Sequence, residues 1–149
     1  MKCLVFIFAF FILNISIAKA HTNIIDAQVR AFIPGASNSV AYFNLDNDTK
    51  DTRTLVSAEV AGIQRVEIHQ HEFIDGMMKM SQLNTLDIKP YSQVQFRPGG
   101  LHLMLFKPVH LPKPGKKIKL TLHFTKGEPI SILADVVKIG EEKQNHSHH

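Results

Sequence analysis

Apolar residues in this chain recur at every second position, in short runs cut off by turn-forming residues, and no stretch holds a 3.6-residue period for three turns. Only a pleated strand sends successive side chains to opposite faces, so the pattern predicts an all-β domain. Strands are expected at Ile24–Ala31, Ser39–Leu45, Arg53–Val60, Arg65–Phe73, Met77–Leu83, Gln93–Arg97, Leu101–Phe106, Lys117–Phe124 and Ile130–Lys138. Pro34-Gly35, Asp46-Asn47-Asp48, Asp75-Gly76, Pro98-Gly99-Gly100, Pro112-Lys113-Pro114-Gly115 and Lys126-Gly127 punctuate them. About seven to nine short strands at this spacing point to a sandwich or Greek-key barrel. The chain has 149 residues, enough for one domain with a real core and no disulfides, and its single Cys, Cys3, excludes an intrachain bridge.

The first twenty residues read differently. Lys2 precedes an apolar run that includes Phe11, Ile12, Leu13, Ile15 and Ile17, and the run closes on Ala18-Lys19-Ala20, a small-x-small cleavage site. Residues 1–20 are therefore expected to be a secretory signal peptide, residues 21–140 a single β-domain and residues 141–149 a flexible His-rich tail. The apolar stretch is short for a membrane span and no basic stop-transfer cluster follows, so no stable membrane insertion is expected after cleavage. Cys3 precedes the apolar run and is not placed as a lipoprotein cysteine. Removing Lys2 and Lys19 leaves fifteen basic against thirteen acidic side chains, and no Lys/Arg cluster with interleaved aromatics appears, which gives no reason to invoke nucleic acid. The exported chain would carry no Cys, although its compartment permits disulfides.

Alternation also sorts side chains onto faces. Ile118, Leu120, Leu122 and Phe124 share one face of their strand, which leaves His123 on the solvated side; His110, among Pro and Lys, is expected in solvent too. In Val66-Glu67-Ile68-His69-Gln70-His71 the apolar residues take one face and both histidines the other. In Leu101-His102-Leu103-Met104-Leu105 three leucines face the core, while His102 and Met104 stand together opposite them; Met78 and Met80 likewise share a face. A short connection can bring His69 and Met80 near each other across a hairpin. Imidazole and thioether make a soft, neutral ligand set, suited to Cu(I) far better than to Ca or Mg, and thioethers avoid the disulfide chemistry a Cys pair would meet outside the cytosol. Met on a strand commonly fills core and a lone His commonly lies at the surface, so the residues alone leave that reading open beside the metal site.

His69, ten residues, Met80, twenty-one residues, His102, one residue, Met104 resembles the ligand motif of the periplasmic copper chaperones called PCuAC, or DUF461. Similar to that family as well are Ala41-Tyr42-Phe43, Val66-Glu67-Ile68-His69, Asp75-Gly76-Met77-Met78-Lys79-Met80, Pro98-Gly99-Gly100-Leu101-His102-Leu103-Met104-Leu105 and Lys119-Leu120-Thr121-Leu122-His123-Phe124. The resemblance spans roughly residues 24–137. It implies a cupredoxin-like β-barrel in the periplasm, with an exposed mononuclear Cu(I) site made by His69, Met80, His102 and Met104. It also implies delivery of copper toward cytochrome c oxidase assembly, with a Sco-type copper protein and the oxidase copper-site subunit as partners. A monomer is expected.

The other histidines suggest secondary roles. His71 shares the face of His69 and is either a surface residue or an auxiliary ligand, and His146, His148 and His149 form a tract that could bind Cu(II). His21, if it becomes the N-terminal residue, could chelate Cu(II) through its amine and ring. That chelate supports the alternative function, an extracytoplasmic copper-dependent oxidoreductase. No paired carboxylates, Ser/His/Asp set or Gly-rich phosphate loop stands out, so a carrier is expected in preference to an enzyme. A blue-copper electron carrier would need a Cys thiolate that the exported chain lacks. A purely structural β-domain would bind no metal.

Overall fold

The structure is a computed structural model, and it describes residues 21–142. The proposed signal peptide, residues 1–20, and His146, His148 and His149 lie outside the described residues.

Ten strands form in chain order: β1 (Thr22–Arg30), β2 (Asn38–Asn47), β3 (Arg53–Val60), β4 (Ile63–Ile74), β5 (Met77–Leu83), β6 (Leu86–Ile88), β7 (Ser92–Phe96), β8 (Leu101–Pro108), β9 (Lys117–Phe124) and β10 (Ile130–Val137). All nine expected strands are present, most within two residues of their expected ends. The tenth, β6, exceeds the expected seven to nine. Its three residues are too few to show a period, and partners make it a strand: β6 pairs with β3 over Arg53↔Ile88 and Leu55↔Leu86. Buried Asn47 holds the same segment from the other side, its Nδ2 donating to the Lys89 carbonyl at 2.9 Å.

The strands run β5-β4-β8-β7-β2-β1-β10-β9-β3-β6, with a second pairing of β8 on β2. Every strand but β5 places a buried apolar residue in one cluster, from Ile68 on β4 to Ile88 on β6 near the two ends of that order. A sheet whose ends share one core has to curl on itself, which gives the barrel-like form. Leu45, Leu55, Leu103, Leu105, Leu120 and Leu122 are fully buried there. Burying each stabilises the fold by about 1.5–3 kcal/mol relative to exposure.

Two turns set the positions that matter for function. Asp75 (φ 53°) and Gly76 (φ 79°) both adopt positive φ, the signature of a two-residue hairpin turn whose twist matches its strands. Ile74 faces Met77 across it, and this closure fixes the register of the whole β4–β5 hairpin. Between β7 and β8, Gly99 takes φ 73° after Pro98, and the Gly100 N–H closes the turn on the Arg97 carbonyl at 3.1 Å.

Candidate metal centre

Val66, Ile68, Leu103 and Leu105 turn toward the core, so their alternate neighbours share the outer face of β4 and β8. The antiparallel register pairs them in rows: Arg65 with Phe106, Glu67 with Met104 and His69 with His102. Across the hairpin, His71 faces Met80 and Phe73 faces Met78. His69, Met80, His102 and Met104 therefore stand on one face of three adjacent strands, as the alternation predicts.

The register refines how these side chains meet. His69 lies directly opposite His102, with ring centroids 5.9 Å apart. Met80 is not opposite His69, whose partner on β5 is Gln82; it sits one diagonal away, still within reach of a long side chain. Its direct partner is His71, whose ring lies 5.0 Å from that of His102, nearer than the ring of His69. Counting back from the two-residue turn would have revealed this from sequence, since Ile74↔Met77 forces His71↔Met80.

Exposure grades the site. His102 is 4% exposed at its base, Met104 and His71 are half-buried, and Met80 is 51% exposed at its rim. The site is thus exposed at Met80 and buried at His102, which the rings of His69 and His71 flank. Beyond Met80 the hairpin tip carries Phe73, Met77 and Met78, each more than half exposed.

Hydrogen bonds determine which ring nitrogens carry lone pairs. His102 Nδ1 donates to the Gly100 carbonyl at 2.9 Å, which leaves Nε2 as the donor atom for a metal. The same carbonyl accepts the His71 backbone N–H at 3.2 Å, so one turn residue ties β4 to the ring on β8. Burial lowers the pKa of His102 from its ordinary 6.5; the Gly100 hydrogen bond opposes this shift, and charge on His71 and His69 adds to it. His69 Nε2 lies 2.8 Å from Glu67 Oε2. A carboxylate only accepts, so Nε2 carries the proton in the neutral ring, and Nδ1 is left buried with no partner.

The donors suit a soft ion: two neutral imidazoles with one free nitrogen each, and two thioethers. Among the described residues no group of three His, Cys, Asp and Glu side chains converges to hold an ion. Glu67 is the participant that sequence reasoning missed. Its signal was the same-face alternation Arg65, Glu67, His69.

The remaining candidates lie apart. His21 precedes β1, where Thr22 pairs with Asn47, while the site's strand meets the opposite half of β2 through Ala41↔Leu103. About six residues of strand, roughly 20 Å, separate them. His110 is exposed, as expected. His123 is half-buried, with Nε2 3.2 Å from Glu59 Oε1. No helix among the described residues is long and apolar enough to cross a membrane.

Comparison with known proteins places this geometry in context. Residues 22–136 match the LpqE-like family. The uncharacterized protein RP573 of Rickettsia prowazekii is 33% identical over 89 residues, covering 59% of this chain and 49% of that protein, so the chain matches about half the length of that relative. Among solved structures, the apo PCuAC domain of PmoF2 superposes with a TM-score of 0.70 at 20% identity, covering 85% of this chain and 98% of the domain. The Cu(I) form of DR1885 from Deinococcus radiodurans gives 0.61 at 25% identity and covers 84% of each chain. Over nearly the whole of its described length, then, this chain belongs to the LpqE-like family and has the cupredoxin-like β fold of PCuAC domains.

Proposed function

We propose that this protein is an extracytoplasmic copper carrier that binds one Cu(I) through His69, Met80, His102 and Met104 and hands it to a second copper protein. The observation that carries the reading is the row of directly opposed His69 and His102, with Met80 and Met104 each one diagonal from His69 on the same face. Two solved relatives are described as copper-bound, the PCuAC domain of PmoF2 and DR1885 with Cu(I). Thioether sulfur and imidazole nitrogen satisfy Cu(I) without a charged ligand.

The gradation of exposure suits a carrier. His102, buried and tautomerically fixed, anchors the ion, while Met80 at the exposed rim can be exchanged for an incoming ligand while the other donors still hold it. The acceptor we infer is a Sco-type copper protein or the copper-site subunit of cytochrome c oxidase, reached in the periplasm after removal of residues 1–20. In this reading the protein is a carrier and not an enzyme. His21 stands roughly 20 Å from this site, so an N-terminal chelate there would be a separate copper site and not part of the carrier's.

Competition with a Cu(I) chelator tests the ligand set. Met80→Ala and Met104→Ala should each weaken binding more than tenfold. Affinity unchanged in both variants would remove the proposal.

A further inference from the structure

Glu67 lies within the ladder that carries the proposed ligands, yet it is not one of them. Its two carboxylate oxygens have different partners. Oε1 accepts from Arg65 Nη1 at 2.5 Å, and Oε2 accepts from His69 Nε2 at 2.8 Å. The Arg65 guanidinium in turn lies 4.0 Å from the centroid of the Phe106 ring, its cross-strand partner. Phe106, Arg65, Glu67 and His69 thus form a line in which each group fixes the next.

We propose that Glu67 is a positioning residue that selects Nδ1 of His69 as the nitrogen offered to copper. An imidazole has two nitrogens that can bind a metal, and a ring with no fixed partner exchanges its proton between them. The carboxylate can only accept, so it keeps the proton on Nε2, and the lone pair remains on Nδ1, the atom that is buried and unpartnered. Arg65 holds the other oxygen and prevents the carboxylate from rotating away. Partners of this kind typically contribute ten- to a hundredfold to metal affinity. The inference rests on the copper-carrier reading for the identity of the ion, whereas the proton position stands on the hydrogen bonds alone.

Glu67→Gln separates this role from a structural one because it hardly changes shape. Arg65 demands an acceptor, so the amide oxygen faces Arg65 and the NH2 group faces His69. That group can only donate to Nε2, which drives the ring proton to Nδ1 and occupies both nitrogens. Nitrogen NMR of the metal-free protein should report the His69 proton on Nε2 in the wild type and on Nδ1 in Glu67→Gln, with Cu(I) affinity at least tenfold lower in the variant. Adding Arg65→Met frees the amide to turn its oxygen toward His69, and should restore both the Nε2 proton and the affinity, which repair of a merely structural defect would not do. A proton that stays on Nε2 in Glu67→Gln, or an affinity that does not follow the proton through the three proteins, overturns the proposal. If the wild type binds no Cu(I), the carrier reading fails, while the nitrogen spectra still decide whether Glu67 sets the tautomer.

Discussion

His102 is a buried ring set among two other imidazoles, and burial disfavours its protonated form, so its pKa lies below the ordinary 6.5. Glu67, on the facing strand, is hydrogen-bonded to His69 and Arg65 and is not among the causes of this shift. The depressed value means that the unfolded chain binds a proton below pH 6.5 more readily than the folded one does. Stability from this residue is therefore complete above pH 6.5 and is lost as pH falls through the folded value. Urea denaturation of the metal-free protein should show weaker folding at pH 5 than at pH 7. His102→Asn, whose Nδ2 stands where the ring Nδ1 does and can still donate to the Gly100 carbonyl, should lose less between those pH values; an equal loss in both proteins would contradict the assignment.

The hairpin is the element that delivers Met80, and its register depends on two residues in positive φ. Gly76 at φ 79° has open space where a Cβ would stand, so a substitution there acts through backbone strain alone. Gly76→Val should destabilise the protein by about 1–3 kcal/mol in urea denaturation, and should weaken Cu(I) binding as Met80 loses its fixed register. A change below a few tenths of a kcal/mol would mean the turn adopts another geometry. Elements of this kind were largely legible in sequence. Alternation placed His69, His102, Met80 and Met104 on shared faces because strand period is fixed by the backbone. It could not give β6, since Leu86-Asp87-Ile88 becomes a strand through β3 and the Asn47 amide. Nor could it give the burial of His102, which depends on the rings that stand on the neighbouring strand, while the pairing of Glu67 with His69 lay within the alternation of β4 itself.

At the scale of the molecule, the core and the candidate site are two faces of the same strands. Leu103 and Leu105 fill the interior while His102 and Met104 occupy the outside of β8, so the rigid core holds the donors in place. The end of the described chain lies near this region. The Glu142 carboxylate accepts from Arg30 and from the Gly140 N–H, and the row Val29↔Ala41↔Leu103 places β1 two strands from β8, about 10 Å away. In sequence, His146, His148 and His149 follow Glu142. Deleting residues 144–149 should reduce Cu(II) binding and spare Cu(I), since clustered imidazoles favour Cu(II) and thioethers do not; loss of Cu(I) on this deletion would tie the tail to the main site.

The proposed Cu(I) site on the outer face of β4, β5 and β8 offers two nitrogen and two sulfur donors. X-ray absorption of the Cu(I)-loaded protein counts those neighbours directly. Two sulfur and two nitrogen scatterers per copper are expected, with one sulfur lost in Met80→Ala. A copper surrounded by nitrogen and oxygen alone would contradict it.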